Sequence, residues 1–132
     1  MAREYHRALI DETLTRSSHS RGTPTPAPPG GPPALVGGHL KRSVRLYPAY
    51  TTGTYSAEAK VVPLIVYARI QELGGTVRAH GKALHWTQGG KGYFAQSVTL
   101  PPRPYMRPTH KLEISNGKLR DAAIQELKGM VP

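Results

Sequence analysis

Four prolines fall within residues 101–108 of the stretch LPPRPYMRP, and they constrain this chain more than any other feature. Proline has no backbone N–H and holds φ at about −65°, so the stretch forms neither a central strand nor a helix interior. It follows a segment of strand character and precedes one of helix character. Tyr105 and Met106 are large and apolar, and Arg103 and Arg107 flank them. A solvated linker has little use for such a pair. The stretch reads as a rigid corner with an anchor, which sets the angle at which a C-terminal helix leaves a sheet.

A chain of 132 residues predicts one domain with a modest core. Its 14 glycines and 13 prolines predict long irregular arms around that core, of the kind that neighbouring subunits order. Cysteine is absent, so disulfides and thiolate metal sites are excluded. No apolar run approaches the roughly 20 residues of a membrane span, and the N-terminus has no signal-peptide core. Both predict a protein made in the cytoplasm, with no membrane partner.

The net charge of +10 is unevenly spread. Residues 13–57 hold Arg16, Arg21, Lys41, Arg42 and Arg45 with no acid, and residues 73–112 hold Arg78, Lys82, Lys91, Arg103, Arg107 and Lys111, again with none. The loops and hairpins are therefore the cationic parts. That balance favours an anionic partner, either nucleic acid or an acidic protein surface, with Lys41, Arg42, Lys82 and Lys91 as candidate contacts. Ordinary solubility charge accounts for it equally well.

Apolar spacing predicts a helix over residues 3–16, with Tyr5, Ala8 and Leu9 on one face. Residues 22–38, GTPTPAPPGGPPALVGG, form an arm of polyproline segments broken by Gly-Gly, expected to pack on a neighbouring subunit. Residues 39–47 begin a strand, directly or after one helical turn, and residues 57–62 return from a turn at Gly53 as its antiparallel partner. Residues 64–73 read as a short helix stopped by Gly74-Gly75. Strands at 76–78, 83–87 and 93–100 make a second hairpin turning at residues 88–92. Residues 109–130 read as the main helix, with Leu112, Leu119, Ala123 and Leu127 on one stripe and Asn116-Gly117 weakening its middle. The expected fold is α+β: an antiparallel sheet of two hairpins packed by an N-terminal helix, a short central helix and a C-terminal helix. One domain, 1–132, then divides into helix (1–20), arm (21–38), hairpins with short helix (39–100), and corner with last helix (101–132).

Catalytic patterns are missing. His6, His19, His39, His80, His85 and His110 include no i, i+4 pair, and a zinc site needs three or four placed ligands. Glu58 and Glu72 are the only acids of the central fold, so a catalytic carboxylate pair would have to recruit Asp121 or Glu126 from the last helix. No serine stands in a Gly-x-Ser-x-Gly elbow, and the Gly89-Gly90-Lys91-Gly92 turn lacks Walker spacing. Neither an enzyme nor a cofactor is expected. Lys82, His85, Trp86, Lys91 and Tyr93 do mix cations with aromatics on one hairpin, a surface able to track phosphates.

Three segments carry a resemblance: PPGGPPALVGGHLKRSV (28–44), VYARIQELGGTV (66–77) and FAQSVTLPPRPYMRP (94–108). In this order and spacing they resemble the head–tail joining, or tail-completion, proteins of long-tailed bacteriophages. The matching positions include Ser43, Tyr67, Glu72, Gly74, Gly75, Arg103, Pro104, Tyr105 and Pro108; Leu73 and Tyr105 stand where the family usually has Phe. The resemblance implies a non-enzymatic virion protein that forms a ring, commonly of six subunits, in the phage neck. Its expected partners are copies of itself, head connector or portal-side proteins, tail terminator or tail-tube proteins, and the double-stranded DNA crossing the lumen. Within the motifs, Glu72 is expected to pair with Arg69 or Arg103, and Tyr67 and Tyr105 to pack the helix ends onto the sheet. The competing reading is a basic protein that binds nucleic acid nonspecifically.

Overall fold

The computed structural model describes residues 1–16, 27–54 and 56–130. Helix α1 (Ala2–Arg7) runs into a π-helical segment, Ala8–Thr13, closed by a Leu14 N–H to Leu9 carbonyl bond of 3.0 Å. The wider turn buries Ala8, Leu9 and Thr13 together. After the arm come α2 (His39–Ser43), β1 (Val44–Gly53), β2 (Ser56–Pro63), α3 (Ala68–Leu73) and β3 (Gly75–Arg78). Then follow β4 (Leu84–Gln88), β5 (Lys91–Ala95), β6 (Ser97–Leu100), α4 (Met106–Ser115) and α5 (Lys118–Met130).

The class is α+β, as the sequence predicts, with helices beside small antiparallel sheets. The strands pair as three two-stranded ladders, β1–β2, β4–β5 and β3–β6, and not as one continuous sheet. The second hairpin is thus one long ribbon in two stretches. Its outer ladder pairs His85 with Phe94 and Trp86 with Tyr93; its inner ladder pairs Gly75 with Leu100 and Arg78 with Ser97. Gly89 and Gly90, at φ 57° and 78°, give the paired left-handed residues that a tight hairpin turn needs.

The core is small and drawn from every part of the chain. Leu9, Leu14, Leu40, Val44, Ala68 and Tyr105 form it, with Ile10, Val61, Ile65 and Met106 packed against it. Tyr105 and Leu9 are wholly buried. Next to them Thr13 and Thr109 share a hydroxyl hydrogen bond of 2.5 Å, and Thr109 also donates to the Tyr105 carbonyl at 2.6 Å. Two elements therefore cross in the middle: the N-terminal segment and the start of α4.

The predicted C-terminal stripe is not a buried stripe. Asn116-Gly117 divides the helix, so positions on either side of it lose their common phase, and of the four only Leu119 is buried. Leu112 is 43% exposed and Leu127 62%. Tyr67, expected to anchor a helix end on a sheet, is 40% exposed and lines a cavity with the arm.

The described part of the arm folds back on its own chain. The Arg103 Nε donates to the Ala27 carbonyl at 2.7 Å, and the Gly30 N–H donates to the Pro102 carbonyl at 2.9 Å. Residues 33–41 then line an open cavity of about 400 Å³ with Leu14, Tyr67 and Gln71. Residues 21–26 of the arm, expected to dock on a neighbour, lie outside the described residues.

Candidate functional site

The second and third motif segments, separated by residues 78–93 in sequence, interlock. Helix α3 is six residues long and ends at Gly74, whose N–H donates to the Ile70 carbonyl at 2.9 Å. The Glu72 carboxylate belongs to the last turn of α3 and faces the proline corner. Its Oε2 accepts the N–H groups of Tyr105 (2.7 Å) and Met106 (2.9 Å), and its Oε1 that of Arg107 (3.0 Å).

These three donors, with position 108, are the four that start helix α4. A helix leaves its first N–H groups without intrahelical partners, and its dipole favours negative charge there. Position 108 is proline and has no N–H to satisfy. One carboxylate and one proline thus settle every orphan donor of the α4 start, without a local capping side chain. The expected pairing of Glu72 with Arg69 or Arg103 is corrected here. Neither arginine makes an ion pair with Glu72 among the described residues; Arg103 holds the arm.

The rest of the clasp follows from close backbone approach. The Arg103 N–H donates to the Gln71 carbonyl at 2.7 Å. The Tyr105 hydroxyl reaches the Ala68 carbonyl at 3.4 Å, a weak bond that crosses α3. Gly74 sits at φ 68°, ψ −176°, and a Cβ there would lie 2.8 Å from the Pro102 nitrogen and 2.9 Å from the Leu100 carbonyl oxygen. Gly75 opens β3 and pairs with Leu100, so the ribbon starts where the clasp ends. Pro104 carries the backbone from the Gln71 contact to Tyr105. Ser43, the matching position of the first motif, closes α2: its hydroxyl donates to the Leu40 carbonyl (2.8 Å), and its carbonyl accepts the Leu64 N–H (3.0 Å).

Burial pushes the Tyr5 hydroxyl up to about 12, with the nearby Glu72 charge adding to the shift; the same two causes raise Tyr105. Tyr5 spends its hydroxyl on the Met106 carbonyl, 3.0 Å away. The unfolded chain ionises tyrosine at about pH 10, below the folded groups. Above that pH the unfolded state binds fewer protons, so stability is complete below about pH 10 and declines as pH rises toward 12. Urea midpoints at pH 8, 10 and 11 should fall over the last step, and Tyr105→Phe should flatten that fall.

The four candidate anion contacts divide. Lys41 lies 3.9 Å from Asp11, and an Arg42 guanidinium nitrogen donates to the Gly37 carbonyl at 2.9 Å, so both serve the fold. Lys82 and Lys91 stand exposed on the second hairpin. Sequence reasoning missed Glu113, which is wholly buried in α4; its Oε1 lies 3.7 Å from Lys118 Nζ and 3.3 Å from Asn116 Nδ2. No sequence signal marked it, because Thr109 and Glu113 are polar and carry no apolar periodicity.

Among the described residues no three His, Asp or Glu side chains come together to hold a metal ion, and no helix is long and apolar enough to cross a membrane. Of the six histidines, His19 lies outside the described residues. Comparison with protein-family models, with curated proteins and with solved structures gave no match.

Proposed function

We propose that this protein is a structural component of a phage neck, a ring joining the DNA-filled head to the tail. Six copies are proposed for the ring. It meets the head connector or portal-side proteins on one side and tail terminator or tail-tube proteins on the other, and duplex DNA passes through its lumen. The ring acts by shape and carries no catalysis or cofactor. The protein is made in the bacterial cytoplasm and ends in the virion.

The observation that carries this reading is the pairing of a closed clasp with unfinished hairpins. The motif segments behind the resemblance account for most of the buried centre: Leu40, Val44, Ala68 and Tyr105 all come from them. From that centre project two-stranded ribbons that stay exposed on both faces. Toward the hairpin tip, residues 48–53 and 56–60 of the first ribbon are exposed wherever they are described, and the second ribbon buries no residue fully. Val66 is 98% exposed and Phe94 72%. An isolated two-stranded ribbon is marginal in water, and exposed apolar side chains of this size mark surfaces that partners cover. A solitary nucleic-acid-binding protein would use the charge but leave these apolar faces without a role.

Mass measurement in solution tests the reading. A discrete multiple of 14.4 kDa, alone or on purified tail tubes, is the expected result. A 14.4 kDa monomer at every concentration, indifferent to tail ends, contradicts it.

A further inference from the structure

Each of the eight acidic side chains of this protein has at least one partner within its own chain, although Glu113 Oε2 is buried without a hydrogen bond. Glu4 pairs with Arg7, Asp11 with Lys41, Glu12 with Arg7 and Lys118, and Glu58 with Lys60 and Tyr50. Glu113 meets Lys118, Asp121 meets Arg120, and Glu126 meets the N-terminal amine. Glu72 is taken by three backbone N–H groups. The charge of +10 is therefore not neutralised by a second copy, and each added copy raises the demand for an external anion.

Part of the uncancelled charge falls on one projecting element. Arg78, Lys82 and Lys91 all belong to the second ribbon, in a segment with no acid from residue 73 to residue 112. No carboxylate of the described residues lies within ion-pair distance of any of the three. The first ribbon differs: its acid, Glu58, is held by Tyr50 at 2.9 Å and Lys60 at 3.3 Å.

The second ribbon is also stiffened. Trp86 stacks on Tyr93 with centroids 5.6 Å apart and rings 17° from parallel, on the same face as the Gln88–Lys91 pair. On the other face His85 and Phe94 approach to 4.6 Å. Cross-strand aromatic pairs of this kind add about 0.2–1 kcal/mol each and favour the ribbon's register. A two-stranded ribbon, with strands about 4.8 Å apart, is narrow enough for the major groove of duplex DNA, about 12 Å wide.

We propose that the second ribbon, with Arg78 at the end of β3, Lys82 between β3 and β4, and Lys91 at the start of β5, is the element that binds the phosphate backbone of duplex DNA. The inference deepens the neck reading and rests on it for the duplex as partner. Binding is without sequence preference, because the cations contact phosphates and leave the bases unread.

Trp86 is the only tryptophan of the chain and lies on this ribbon, so its emission reports local contact. The experiment titrates the intact protein with a 20-base-pair duplex of mixed sequence at several salt concentrations. Three phosphate contacts predict a slope of log K against log salt near −3, so binding weakens about 40-fold from 50 to 200 mM salt. In Lys82→Ala/Lys91→Ala the slope should fall to about −1 and the loss to about 4-fold. Lys128→Ala, on exposed helix α5, should leave both unchanged. An unchanged Trp86 signal, a slope indifferent to the Lys82 and Lys91 changes, or an equal response to polyglutamate would each overturn the proposal. The oligomer mass, measured without DNA, separates its failure from failure of the neck reading.

Discussion

Gly74→Ala is expected to destabilise the protein by about 4 kcal/mol, combining a backbone cost of about 1–3 kcal/mol with overpacking of similar size. At φ 68°, ψ −176° the backbone occupies a region that only glycine enters freely. The added Cβ would also meet the Pro102 nitrogen and the Leu100 carbonyl oxygen, at 2.8 and 2.9 Å. Both are main-chain atoms of the proline corner, whose fixed φ angles leave it little room to move. Four kcal/mol is a large fraction of a domain's stability, and should lower Tm by about 15 °C. Gly81→Ala is the control: nothing lies within 4 Å of its Cβ position, and the change should stay within about 0.5 kcal/mol. Thermal melts of the two variants side by side check the contrast.

The second large effect is at Glu72. Glu72→Ala leaves the Tyr105, Met106 and Arg107 N–H groups without an acceptor at the start of α4. Removing a capping side chain typically costs about 0.5–2 kcal/mol, and hydrogen bonds to a charged acceptor are worth about 1.5–3 kcal/mol each. The three bonds share one half-buried carboxylate and water reaches part of the site, so about 3 kcal/mol is expected for the whole. Glu72→Gln keeps an acceptor oxygen but loses the charge that suits the helix dipole, and should cost about half as much. An Arg69→Ala or Arg103→Ala change that matched Glu72→Ala would instead support an ion pair. Urea unfolding of the four variants separates the cases.

The clasp was half legible in the sequence. Four prolines with a Tyr-Met pair among them could only be a rigid corner, and Gly74-Gly75 could only end a helix. That Glu72 faces the corner was not legible, because its partners are backbone N–H groups, which every residue except proline carries. Charge matching suggested an arginine instead. Pro108 held the missing clue: a helix whose third residue lacks an N–H leaves three donors to satisfy, and one carboxylate with two oxygens can accept them.

The C-terminal stripe was misread for a different reason. Leu112, Leu119, Ala123 and Leu127 share a phase only if the helix is continuous, and Asn116-Gly117 resets it. Phe94 illustrates a third limit. Alternation placed it opposite Tyr93 correctly, but alternation cannot tell which face of a ribbon a core covers. Here no core covers either face fully. The Gly-rich turn at residues 89–92 follows the same logic: its residue types suggested phosphate chemistry, while its place between β4 and β5 makes it a hairpin turn.

In the proposed ring, the clasp is the part that folds by itself and the first ribbon the part that waits for neighbours. Hydrogen exchange read by mass spectrometry, across a concentration range that spans assembly, tests that division most directly. Amides of residues 103–107 should be protected at every concentration, because the Glu72 carboxylate and the Gln71 carbonyl hold four of them within one chain. Amides of the β1–β2 ribbon should gain protection only as the proposed oligomer forms. Ribbon exchange that is the same at all concentrations, or clasp amides that exchange as fast as the ribbon tips, would contradict the account.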